Sequence, residues 1–328
     1  MNGNKSLMSV TFKPLLVFVL GTAGLGTAGL GIGAAPLSTH SGISEGLFGE
    51  VLAGEAPAPA PQTGSSATLK PVAAASPDIP FHSVEFDSQA EQQILELANR
   101  SRQQAGAPLL TVDSGLSHAA RVHAQAMLEA RQLSHQFDGE PSLPNRLAAA
   151  TQLQLDQEGE NVALDIDPAK AEQHLMLSPP HRANLLNPAY NVVGMGVVRS
   201  GDRLYVVQDF GHALPNYSIG EVKDRIASAV HQTRRHADAS DLPRRDLASA
   251  DEAACSMAQA DKLATAAVHQ LSEHYTVLTF TSLHPETLPT GSEQAIAGHN
   301  LRSFSIGTCY ARTETYPTGV YWVVLSLE

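Results

Sequence analysis

Three short polar motifs decide how this chain reads: Ser134-His135, Gly159-Glu160-Asn161-Val162-Ala163 and Ser178-Pro179-Pro180-His181-Arg182. They place two imidazoles and one carboxylate between a helix that runs to about Leu133 and a strand pair that begins near Asn191. Loops held by a rigid scaffold are where sites are built. His135, Glu160 and His181 are compatible with three arrangements. The two histidines can hold zinc with water in an open position, Glu160 acting as general base on that water. They can form an acid/base set without metal. Or they can be a hydrogen-bonded network that fixes loops and does no chemistry. The spacing contains no His-Glu-x-x-His and does not choose among these.

Outward from the motifs, local patterns define the scaffold. Asp87 or Ser88 caps a helix over Phe86–Ala105, with Ile94, Leu95, Leu97 and Ala98 as its apolar stripe, and Gly106-Ala107-Pro108 turns the chain. Asp113 or Ser114 caps a second helix whose core face is Leu116, Ala119, Ala120, His123, Ala124 and Met127. His123 sits among alanines and reads as a packed histidine; His118 points to solvent. Residues 136–158 read as a polar loop with a short helix near Asn145–Ala150, where Arg146 can pair with a carboxylate, a solvated arginine being the commoner case. Asp167-Pro168 and Ser178-Pro179 are two helix starts, which puts His181 in a first turn, where a helix N-terminus disfavours imidazolium. Asn191–Arg199 and Leu204–Phe210 form a hairpin through Ser200-Gly201-Asp202.

Further motifs fall in a fixed order with these: Asn99-Arg100 with Arg102, Gly106-Ala107-Pro108-Leu109, Ser134-His135, Gly159-Glu160-Asn161-Val162-Ala163, Ser178 through Leu186, Tyr190, Gly194-Met195-Gly196 and Val207-Gln208-Asp209-Phe210-Gly211. Residues 87–213 thereby resemble a bacterial CAP domain, of the superfamily of cysteine-rich secretory proteins, venom allergens and pathogenesis-related plant proteins. The resemblance implies an α-β-α sandwich within an α+β fold, and a cleft lined by His135, Glu160, Ser178 and His181. Animal and plant members carry a second Glu where Ser178 stands, and a Trp where Leu175 stands; both departures weigh against catalysis.

The chain has 328 residues, room for two domains. Its 21 basic and 33 acidic residues give a net charge of −12, which argues against nucleic acid as a partner. Residues 1–36 read as a signal peptide or an N-terminal membrane anchor: Lys5 and Lys13 precede Leu15-Leu16-Val17-Phe18-Val19-Leu20, but the glycine- and alanine-rich continuation is weakly hydrophobic and favours the signal peptide. Residues 37–80, with Ala56-Pro57-Ala58-Pro59-Ala60-Pro61, read as a disordered linker.

Residues 215–328 read as a second α+β domain: helices over Glu221–Ala237 and Ala250–His274, a strand over Tyr275–Leu283, and a hairpin of Ser303–Thr313 with Gly319–Leu327. Ala119-Ala120 and Ala124-Gln125-Ala126 recur as Ala253-Ala254 and Ala258-Gln259-Ala260. Val193-Gly194 and Leu204-Tyr205-Val206-Val207 recur loosely as Ile306-Gly307 and Val320 through Val324. A degenerate CAP-like copy without the polar motifs, or an unrelated α+β domain, fits this pattern. Cys255 and Cys309, the only cysteines, pair as a disulfide in an exported chain.

The functional expectation is an exported protein, secreted, periplasmic or held in the cell envelope, that binds a small ligand, lipid or cell-wall component. Its His135/His181 pair is a conditional zinc site. A zinc-dependent hydrolase with Glu160 as base is the alternative.

Overall fold

Side-chain caps fix where the first helices begin. The computed structural model describes Phe18–Leu20 and residues 86–328, so most of the expected targeting segment and the whole expected linker at 37–80 lie outside the described residues. Phe18–Leu20 is a short strand, β1. Asp87 accepts a 2.9 Å hydrogen bond from the Ala90 amide and starts α1, Ser88–Ala105, which ends on left-handed Gly106. After β2, Thr111–Val112, Asp113 accepts from the Leu116 amide at 2.8 Å and starts α2, Ser114–Ala130. These satisfy amides that a helix start leaves open.

The first sheet follows. α3 spans Leu143–Ala150 and β3 spans Leu155–Asp165. The expected polar loop is therefore shorter than 136–158, because Leu155–Glu158 already pair with the last strand of the sheet. α4, Pro168–Leu177, and α5, Pro179–Leu185, lead into the hairpin of β4, Val192–Ser200, and β5, Arg203–Ala213. The sheet order is β2-β4-β5-β3, with β2 parallel to β4 and the rest antiparallel. One face packs Met195, Val197, Val206 and Phe210 against Ile94 and Ala98 of α1 and Ala171 and Leu175 of α4. The other packs Val162, Tyr205 and Val207 against Ala120, Ala124 and Met127 of α2. This is an α-β-α sandwich, set by the strict alternation of sides along a strand.

The remaining elements are α6, Ile219–His236; β6, Arg244–Arg245; α7, Ala248–Ala260; α8, Ala266–Ser272; β7, Thr276–Ser282; α9, Glu293–Ile296; β8, Phe304–Ala311; and β9, Val320–Leu327. Ser218 and Glu221 close a capping box on α6. The single helix expected over Ala250–His274 is two. Asp261 adopts a left-handed conformation (φ 50°) that ends α7, and the Thr265 hydroxyl caps α8. Aspartate tolerates that conformation better than most residues. Among the described residues no helix is long and apolar enough to cross a membrane.

The second sheet has the order β1-β7-β9-β8-β6, and β6 is parallel to β8. Without β1 it repeats the first sheet strand for strand. Two local details repeat with it. Arg102, buried in the last turn of α1, donates to the carbonyls of Pro108, Leu185, Asn187 and Tyr190. Arg234, buried in the last turn of α6, donates to those of Ser240, Ile296 and Gly298. Gly194 lets β4 approach α2 so closely that a Cβ would stand 2.1 Å from the Leu116 carbonyl carbon. At Gly307 a Cβ would meet that of Ala250 at the same 2.1 Å. The glycines also correct the register read from sequence. Gly194 faces Asp209 and Gly307 faces Val324, so Trp322, not Val323, stands where Val207 stands in the first sheet. A one-residue slip exchanges the two faces of a strand.

Cys255 on α7 and Cys309 on β8 form a disulfide, with Cα atoms 5.0 Å apart. It ties helix to strand in the second sheet. The pair closes a chain separation of 54 residues, so replacing both cysteines by alanine should lower unfolding free energy by about 4 kcal/mol in a denaturant titration. An unchanged midpoint would show that the bond does not constrain the chain.

Candidate functional site

The cleft is built around a carboxylate that no water reaches. Glu160 lies in the middle of β3 with its side chain 4% exposed. Its Oε1 receives the His135 imidazole, with Nδ1 2.8 Å away. Its Oε2 receives Nη2 of Arg146, which α3 presents from the other side. Arg146 is itself buried, and also lies 3.6 Å from Glu140. The expectation of a solvated arginine is overturned: α3 packs against the sheet with Arg146 inward, where two carboxylates supply the charge.

Asp209 of β5 sits directly across from Glu160 in the strand register, fully buried, and neither of its oxygens receives a hydrogen bond from a donor group of the protein. Burial pushes its carboxyl well above the usual carboxylate range. The Glu160 charge and a hydrogen bond with Glu160 add to this, while Arg146 opposes it. With Arg146 on Glu160 and no donor on Asp209, this geometry favours the protonated form of Asp209.

The loop that carries His135 is fixed from below. α2 ends on Arg131 in a left-handed turn. His123, wholly buried in α2, bonds the Ser134 carbonyl through Nε2 at 2.9 Å and Glu140 through Nδ1 at 2.6 Å. A carbonyl only accepts, so Nε2 carries a proton. His123 is thus a packed histidine that holds Ser134, and with it its neighbour His135.

His181 stands in the first turn of α5 and its Nδ1 lies 2.9 Å from the Ser178 hydroxyl. Ser178 occupies the N-cap position but makes no side-chain cap bond; its hydroxyl is directed at the imidazole instead. The His135 and His181 rings stack at 6.3 Å with 30° between planes. The structure therefore brings His135, Glu160, Ser178 and His181 together. Asn161 and Asn184 hold their backbone: Asn161 Nδ2 donates to the His181 carbonyl and to Gln208, and Asn184 Nδ2 donates to the Glu160 carbonyl and to Asn161. Gln208 in turn reaches Glu172, whose carboxyl burial raises to about 7.

Arg146 and Glu140 lie outside the motifs, and Asp209, inside one of them, was given no role at the site. Asp209 had a readable signal: it shares the strand face of Val207, two residues away, so a charged group was placed toward the core. Arg146 and Glu140 had none, because their partners lie on other elements.

Residues 95–210 match the model of the cysteine-rich secretory protein family, CAP, and this stretch is a CAP domain. It is 33% identical over 112 residues to the uncharacterized protein YkwD of Bacillus subtilis, covering 34% of this chain and 43% of that protein. It is 34% identical over 122 residues to the uncharacterized membrane protein YlbC of the same organism, covering 37% of this chain and 34% of that one. The chain thus spans less than half of either relative. Among solved structures, an extracellular protein containing an SCP domain from Bacillus anthracis is similar at 30% identity and a TM-score of 0.35, over 38% of this chain and 41% of that one.

The sequence reading gave zinc two protein ligands, His135 and His181, with Glu160 as base on its water. Among the described residues no three His, Cys, Asp or Glu side chains are placed to hold a metal ion. Glu160 gives one oxygen to His135 and the other to Arg146, and the Nδ1 atoms of both histidines face partners within the protein.

Removing Arg146 leaves two carboxyls facing each other in the interior. Arg146→Met should cost about 3–5 kcal/mol at neutral pH, as loss of one partner of a buried ion pair does. Adding Glu160→Gln should recover a large part of that loss. A double variant as unstable as the single one would show that Arg146 acts by packing and not by charge.

Proposed function

We propose that this CAP domain is a recognition module, in which His135, His181 and Ser178 present hydrogen-bonding groups to a small polar ligand. The observation that carries this reading is the asymmetry of the His135–Glu160 pair. The imidazole is 52% exposed and its carboxylate partner 4%. The charge is anchored inside and the ring faces out, as a binding surface requires.

Hydrolysis receives less support from the same geometry. A general base needs a free carboxylate oxygen within reach of water. Both oxygens of Glu160 are engaged, and Asp209 beneath it is too deeply buried to serve. Zinc enters this reading only as an ion held between the two rings and completed by water, with no part for Glu160.

The ligand class we favour is a component of the cell envelope, a lipid headgroup or wall fragment bearing hydroxyl or carboxylate groups. The Cys255–Cys309 disulfide supports an oxidising compartment, as does the amino-terminal segment read as a targeting signal.

The test is a titration with soluble wall fragments and short-chain lipids, followed through the imidazole NMR signals of His135 and His181. A bound ligand should move both sets of signals, and His135→Ala or His181→Ala should weaken binding about tenfold or more, as loss of one charge-assisted hydrogen bond does. Binding that leaves both rings unmoved, or that survives both substitutions, would contradict the proposal.

A further inference from the structure

The second sheet departs from the first at its hairpin. β4 and β5 are joined by a tight turn through Gly201, whereas residues 312–319 connect β8 and β9 with a longer loop. That loop does not stand free. Asp261, at the end of α7, receives the Thr313 hydroxyl at 2.8 Å and the Thr315 amide at 2.9 Å. The disulfide fixes α7 to β8 only three residues before Arg312.

Arg312 at the root of this loop reaches the other sheet's helices. Its Nη1 donates to the Ala148 carbonyl at 2.6 Å, and its Nη2 to those of Thr151 at 2.8 Å and Leu153 at 3.4 Å. Ala148 belongs to the last turn of α3, whose carbonyls lack partners within the helix. A cation there also meets the negative end of the helix dipole. α3 is only eight residues long and carries Arg146, the partner of Glu160.

From this we infer that Arg312 is a positioning residue for the cleft. It pins the end of α3 and thereby sets Arg146 on Glu160, and through Glu160 the orientation of His135. The second sheet, with Thr279 and Val324 where Glu160 and Asp209 stand, has no acid pair of its own and acts as the brace for the first. The inference rests on the cleft being the functional site, but its test does not need a ligand.

The experiment compares the full chain with Arg312→Ala, Arg312→Lys and Thr318→Val. Thr318 donates to the Leu155 carbonyl on the same seam and touches no carbonyl of α3, so it controls for general loosening between the sheets. The readouts are thermal stability, hydrogen exchange of the α3 amides, and the NMR signals of the Arg146 guanidinium and the His135 ring. Arg312→Ala should speed exchange in α3 about tenfold or more and shift both sets of signals, with Arg312→Lys intermediate. Thr318→Val should lower the melting temperature and leave those signals in place. Arg146 and His135 signals unchanged in Arg312→Ala would overturn the inference, as would equal shifts in Thr318→Val. If Arg312→Ala does not fold, the Arg312→Lys comparison with Thr318→Val decides on the same signals. A shift of the Arg146 and His135 signals in a protein that binds none of the ligands tried would uphold the positioning role and count against the recognition reading alone.

Discussion

Glu160 and Asp209 face each other across two paired strands, and the interior cannot hold a negative charge on both. Arg146 resolves the conflict. It stabilises one charge, and burial leaves the other carboxyl protonated. The remaining geometry of the cleft follows from that choice. Glu160 orients the His135 ring through Nδ1. Glu140, the second carboxylate near Arg146, lies 2.6 Å from Nδ1 of His123, whose Nε2 holds the loop carrying His135. The half-exposed His135 imidazole projects from this charge network with its Nδ1 held on Glu160.

The network also explains why the fold has a small helix at this place. α3 buries just Arg146 and Leu147. Short helices are marginal alone. Leu147 packs on Leu116, Ala119 and Leu155, and two polar contacts are added to this: Arg146 toward Glu160 at one face and Arg312 from the second sheet at its end. The second sheet has the same strand order with Thr279 and Val324 in place of the acid pair, and its longer β8–β9 connection carries Arg312 to α3.

Much of this was legible in the sequence. The caps at Asp87 and Asp113, the hairpin at Gly201, the four cleft residues and the cysteine pair all follow from local chemistry or from motif order. Boundaries failed where tertiary pairing overrode local signals. Leu155–Glu158 is polar enough to read as loop, yet pairs with β5; Asp261 breaks a helix that alanine content alone would continue. The charge network was the least legible part. Arg146, Glu140 and Asp209 are scattered over 70 residues of chain, and nothing in their immediate neighbours says that they meet. The register of the second sheet was off by one residue because spacing between alanines and valines carries no information on which face is buried.

The most direct test of this account is the protonation state of Asp209, read from its side-chain carboxyl carbon signal in labelled protein across the pH range. The account predicts that at neutral pH Asp209 gives the signal of a carboxylic acid, and that it ionises only well above the ordinary range of aspartate. Asp209 ionised at neutral pH would contradict it.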